Sequence, residues 1–285
     1  MQFLDLEHIV ERAAARTMSK KKLTYTGLTL FFCGLVMLFG MSASVAFGSW
    51  LSLSLNFVPL FVSLALIMAL GVILVQSYSI EQKQHTVEMK DLALRSWPTI
   101  LGTLSLFVPV VIAYLALWMA QGIFLVCTAI PFIGPFFAVV FAFIPFILHL
   151  ATLVLGLMSI YFLFCLTPTL AHLGGLPGVL GQAARQEEGS QGQELSFVRA
   201  FKESLTHGFT RMALFLLGLV PLIVCIILLG VSWKMTTMMF DPTSAEELVM
   251  QRFFLMLPFA LLLAPAVIFF FNIAAETQAF VKGRG

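Results

Sequence analysis

The sequence is poor in charge. Asp, Glu, Lys and Arg make up 11% of its residues, against about a quarter in soluble domains. That shortage excludes a soluble globular domain with an ordinary charged surface. The four cysteines, Cys33, Cys127, Cys165 and Cys225, all lie in apolar runs, with no CxxC pair and no neighbouring histidine pair. A disulfide framework or zinc site needs such spacing, so they read as small buried hydrophobes. The motifs HExxH, GxSxG, the P-loop and a GxGxxG opening a helix are all missing. No cofactor is implied, and a non-enzymatic protein is the expectation.

What is abundant is apolar: 60% of the residues are hydrophobic, 29 are phenylalanine, and the mean hydropathy is +1.01. Several runs exceed the roughly 18 apolar residues that mark a spanning helix. The chain therefore reads as an all-α integral membrane protein with six transmembrane helices. Six spans of about 23 residues use about half the chain and leave no room for a separate catalytic domain, so residues 1–285 form one membrane domain. The phenylalanines read as lipid-facing or packing residues rather than a platform for stacking bases, and no nucleic-acid partner is expected.

Residues 2–19 place Phe3, Leu6, Val10 and Ala13 at helical spacing, with Asp5, Glu7, Glu11, Arg12 and Arg16 on other faces. That pattern suits an interfacial amphipathic helix. Ser19-Lys20-Lys21-Lys22 stops it, and the first span follows at Leu23–Phe47. Its length and the acidic residues before it argue against a cleaved signal sequence. An uncharged connection at Gly48–Asn56 leads to a second span at Phe57–Ser77. In residues 80–97 Glu81, Gln84, Glu88, Asp91 and Arg95 form a polar stripe opposite Met89, Leu92, Ala93 and Trp97, a second interfacial helix. The third span opens at Trp97-Pro98 and runs to about Met119–Gln121. The fourth runs over Phe136–Leu166, with Pro145 placed to kink it and Pro168 to end it. A polar loop at 182–194 precedes a third interfacial helix at Leu195–Phe209. The fifth span covers Met212–Val231, a loop covers Trp233–Arg252, and the sixth span covers Phe253–Ala275.

Charge orients this plan. Of 16 Lys and Arg residues, only Lys234 and Arg252 fall on the side opposite the termini and the three interfacial segments. The positive-inside rule then places both termini in the cytoplasm. Laying Trp97 on Phe209 also lays Pro109 on Pro221, at an offset of 112. Three tandem units follow, 1–79, 80–192 and 193–285, each an interfacial helix feeding a hairpin of spans. Residues Phe197–Pro221 (FVRAFKESLTHGFTRMALFLLGLVP), and more weakly Met89–Pro109, resemble the YciC-like proteins and the membrane domain attached to some glycerophosphodiester phosphodiesterases. The resemblance implies a multi-pass protein of the bacterial inner membrane. It does not bring the phosphodiesterase, which needs paired acidic metal ligands that are absent here.

Few polar side chains fall within the spans. His149, near the middle of the fourth, is either a neutral imidazole that fixes helix packing or a functional intramembrane group. Asn272 and Glu276 share a face of the sixth span, as a solvated helix end or as a proton or cation site. Asn56 and Gln121 read as cap or loop residues. His8, His85, His172 and His207 show no ligand spacing. The basic residues Arg12, Arg16, Lys20, Lys21, Lys22, Arg199, Lys202 and Arg211 are placed to meet anionic lipid headgroups of the bilayer. Together these features suggest an interaction, scaffolding or membrane-organising role, with a transporter or channel-like component built around His149 and the intramembrane prolines as the alternative.

Overall fold

A computed structural model of the protein describes residues 3–47, 49–82, 89–132, 134–141, 143–173, 208–239 and 245–284. Among them the chain is α-helical with no strand: α1 (Phe3–Ala15), α2 (Lys20–Phe47), α3 (Ser49–Gln82), α4 (Met89–Arg95), α5 (Trp97–Thr128), α6 (Gly134–Val140), α7 (Phe143–Leu173), α8 (Gly208–Met239) and α9 (Ala245–Arg284). Six of these, α2, α3, α5, α7, α8 and α9, contain stretches long and apolar enough to cross a membrane. The protein is an all-α membrane protein.

The helices outrun the apolar runs that announced them. Ser49–Asn56, expected as a connection, is helical, as are Ser79–Gln82 beyond the second span and Trp233–Met239 within the expected far-side loop. Hydropathy marks where a helix leaves hydrocarbon, whereas the helix ends only where its backbone bonds fail. The expected fourth span is two helices, with α6 ending at Val140 and α7 beginning at Phe143. Pro145 then falls in the first turn of α7, where its missing N–H leaves no gap, so it does not kink the span. Pro168 does not end α7 but sits inside it. The polar loop at 182–194 and most of the third interfacial helix lie outside the described residues.

The chain divides into two compact units. The first takes in the described residues of Met1–Thr103 and Phe164–Gly285. Here α2 packs on α3 and on α9, α9 also packs on α8, α3 and α1, and α4 packs on α3. Between helices in lipid the hydrophobic effect gives little, so close van der Waals contact must hold them. Small residues supply the approach. A Cβ on Gly27 would sit 2.9 Å from Leu261 Cδ2, and one on Gly34 3.0 Å from Met256 Sδ, so α2 and α9 run antiparallel with two glycines, seven apart, on the seam. Gly71 of α3 lies under the Phe271 ring in the same way. The α8–α9 seam is aromatic: Phe164, Phe215 and Phe270 form a triad with centroids 5.3 to 6.2 Å apart, each pair contributing roughly 0.5–1.5 kcal/mol beyond its contact area. Met68, Val72, Leu74, Ala264, Ile268 and Ile273 are fully buried between them.

The second unit, Leu104–Leu163, holds most of α5, all of α6 and the larger part of α7. Tyr114 approaches Gly156, where a Cβ would meet its hydroxyl at 3.1 Å. None of the most apolar window of α5, within Val108–Thr128, is buried. The α5–α6 turn closes with Gly134 N–H donating to the Ile130 carbonyl at 2.8 Å and Phe132 at a positive φ of 67°.

Many hydroxyls within the helices satisfy themselves. Thr24, Thr29, Ser42, Ser79, Thr152, Ser159, Thr169, Ser232 and Thr236 each donate to the carbonyl four residues back. That bond hides their polarity from hydrocarbon, and they carry no site.

Candidate functional site

Several polar side chains that are not self-satisfied gather at one end of the first unit, where α1 gives way to α2 and where α3 and the last turns of α9 finish. Three i,i+4 pairs build the cluster, because residues four apart lie one above the other on a helix face. They are Arg12 and Arg16 on α1 and just beyond it, Tyr78 and Gln82 on α3, and Asn272 and Glu276 on α9.

Glu276 is the centre. It is 2% exposed, and a carboxylate so far from water is costly unless hydrogen bonds and charge replace hydration. Tyr78 Oη donates to its Oε1 at 2.5 Å and Gln82 Nε2 donates to the same atom at 2.9 Å. The Arg12 guanidinium stands 3.8 Å from Oε2, an ion pair without a hydrogen bond. Tyr78 is itself buried, with the Arg16 guanidinium carbon 5.0 Å and the Lys22 ammonium 5.6 Å from its ring centroid, within range of a cation–π attraction. Lys22, 1% exposed, donates to Glu81 Oε2 at 2.7 Å, and Ser77 Oγ donates weakly to Glu81 Oε1 at 3.4 Å.

Asn272, on the same face as Glu276, ties α9 to the lead helix. Its Nδ2 donates to the Ala13 carbonyl at 3.2 Å and to Thr17 Oγ1 at 3.3 Å. Two buried polar atoms in this region are left without a hydrogen-bond partner, Arg16 Nη1 and Asn272 Oδ1. A cavity of about 490 Å³, lined by Arg12, Arg16, Gln82, Glu276, Ala279 and Phe280, opens beside them. That volume is in the range of small-molecule sites.

The residues singled out by sequence fall in different places. Asn272 and Glu276 belong to this cluster, but Glu276 is not a solvated helix end, because α9 continues to Arg284 and α1 and α3 cover the carboxylate. Of the basic residues expected at headgroups, Lys20 and Lys21 are exposed and Arg12 largely so, whereas Arg16 is half-buried and Lys22 and Arg211 are buried. Arg199 and Lys202 lie outside the described residues, as do His85 and His207. His149 belongs to the second unit, is exposed, and has its Nδ1 3.2 Å from Gln121 Nε2. Gln121 is therefore a helical side chain bonded to His149 rather than a loop residue, and it also reaches Thr152 Oγ1 at 3.5 Å. All four cysteines are free thiols. Among the described residues, no three His, Cys, Asp or Glu side chains group closely enough to hold a metal ion.

Sequence reasoning passed over Tyr78 and Gln82 and assigned Glu81 to a separate interfacial segment. The available signal was the recurrence of polar i,i+4 pairs at the ends of three apolar runs. Comparison of the chain with protein-family models, with curated proteins and with solved structures returned no match.

Proposed function

We propose that this is a non-enzymatic, multi-pass protein of a bacterial inner membrane, with cytoplasmic termini, that organises the membrane or holds other components at its cytoplasmic face. The observation that carries this reading is the gathering of buried charge at one end of the first unit. Within the first unit the Arg12–Glu276 and Lys22–Glu81 ion pairs and the cavity lie at one end, while α3 and α9 beyond it are packed with Met68, Leu70, Val72, Ile268 and Phe271, each at most 3% exposed. A conducting or alternating-access path needs polar groups at mid-depth, whereas a docking or anchoring role needs them where membrane meets water. The lead helix α1, pinned to α9 through Asn272, then lies along that boundary as an interfacial element. The distribution of Lys and Arg along the chain supports the orientation. The transport alternative asked for a cavity that includes His149; that ring is exposed and bonded to Gln121, and it does not line the cavity of the first unit.

Two measurements test the proposal. Mild detergent extraction followed by cross-linking is expected to recover specific membrane neighbours that depend on the Arg12–Glu276 end of the protein. Proteoliposomes holding the purified chain alone are expected to show no solute or ion flux above empty vesicles. Sustained flux without a partner refutes the reading.

A further inference from the structure

We propose that the cavity between α1, α3 and α9 is a binding site for the phosphodiester group of a membrane lipid. The inference goes beyond the organising role above and does not depend on it. Three charged side chains line the cavity: Arg12, Arg16 and Glu276. Two cations therefore face one carboxylate in the lining, and the neighbouring Lys22 and Glu81 neutralise each other at 2.7 Å. One positive charge is left over at the cavity wall, which matches the single negative charge of a phosphodiester.

The donors are available in the required form. Arg16 Nη1 is buried and has no hydrogen-bond partner, a condition that costs free energy until an acceptor arrives. Arg12 meets Glu276 only at 3.8 Å, and its side chain is 58% exposed, so its guanidinium can turn one edge to a ligand while Glu276 keeps its bonds from Tyr78 and Gln82. Planar guanidinium groups bind phosphate oxygens through paired N–H donors. Ala279 and Phe280 add an apolar wall that suits the glycerol carbons next to a lipid phosphate and gives nothing to a free hydrated anion. The site also lies at the ends of two stretches long and apolar enough to cross a membrane, Val58–Gln82 and Glu247–Phe280, and the ends of spans are where phospholipid headgroups are met.

The test uses the full chain purified in an uncharged detergent, with thermal unfolding followed as short-chain phosphatidylglycerol is added. Diacylglycerol of the same chain length and inorganic phosphate are the comparison ligands. The phospholipid is expected to raise the unfolding midpoint in a saturable way, and neither comparison ligand should do so at equal concentration. R16Q and R12Q are each expected to weaken the apparent affinity about tenfold or more, the loss of a charge-assisted hydrogen bond. R12Q changes a largely exposed side chain, so it serves even where R16Q does not fold. K21Q, an exposed lysine outside the cavity, should leave affinity within about twofold. Equal stabilisation by diacylglycerol would show that only acyl contact matters, and equal stabilisation by inorganic phosphate would show a free-anion site; either overturns the proposal. So does a K21Q loss as large as that of R12Q, which would reduce the effect to surface charge.

Discussion

The Lys22–Glu81 pair makes an asymmetric prediction. The two groups share a 2.7 Å contact, but the lysine side chain is 1% exposed and the glutamate 37%. Removing one partner of a fully buried pair costs roughly 3–5 kcal/mol because the survivor is left charged and dry. Removing one partner of an exposed pair costs about 0–1 kcal/mol. Here the two cases meet in one contact. In Lys22→Met the surviving carboxylate already touches solvent and the methionine keeps most of the aliphatic stem, so the loss should be about 1 kcal/mol. In Glu81→Ala the surviving ammonium keeps the Tyr78 ring but faces the like charge of Arg16 over the same ring, so the loss should be about 3 kcal/mol. The difference of about 2 kcal/mol is roughly thirtyfold in the unfolding equilibrium constant. The double variant Lys22→Met/Glu81→Ala strands no charge, and it should be more stable than Glu81→Ala alone. Equilibrium unfolding in mixed micelles reads all three. If Glu81→Ala costs no more than Lys22→Met, the lysine reaches water by snorkelling and burial does not govern the pair. If the double variant loses the sum of the singles, the two side chains do not interact energetically.

Other contacts give sharper or flatter responses. Gly71→Ala should destabilise by about 1–3 kcal/mol, since its methyl would enter the buried Phe271 ring and overpacking of that kind displaces backbone. Gly27→Ala meets only the tip of Leu261 and should cost less than Gly71→Ala in the same unfolding assay. Asn272→Leu removes two hydrogen bonds, each worth about 0.6 kcal/mol on average in membrane proteins; its clearer sign should be faster amide exchange at Ala13–Thr17 as α1 loosens from α9. His149→Ala should change stability by under about 1 kcal/mol, because its bond to Gln121 is exposed, and a larger loss would mark that pair as structurally important.

How far the sequence was legible follows from the range of each signal. Spans were readable because hydropathy accumulates over some twenty neighbouring residues and needs no knowledge of tertiary structure. The end of α6 at Val140 was not readable, since it lies inside an unbroken apolar run. Glu276 could be singled out because a carboxylate beside an apolar run is locally anomalous. Its partners could not, because Tyr78 is 198 residues away and Lys22 is 59 residues from Glu81, separations over which no periodicity carries information. The proposed tandem units stand on a similar footing. Helices α5 and α8 have the same length, 32 residues, and each carries its proline near the thirteenth position. The two differ in burial, since no residue in the most apolar window of α5 is buried, whereas 22% of that of α8 is. Shared local sequence thus leads to different surroundings.

The basic residues near the N-terminus show why one side chain can answer to two rules. Counting Lys and Arg along the chain concerns where cations lie relative to each span, and that is decided as segments insert. The fate of an individual cation is decided later, by what the packed helices bring beside it. Lys20 and Lys21 remain exposed, while Lys22, next in line, turns inward to Glu81 and Tyr78. Adjacent positions on a helix point about 100° apart, so a run of three lysines must place its members on different faces. A cation on the inward face then either finds an acid or forces the helices apart. Glu81 and Glu276 supply the two acids, at the ends of the two spans that pack against α2. This explains why these two acids belong to helix ends, and why the leftover charge gathers on Arg12 and Arg16, beside the cavity at that end.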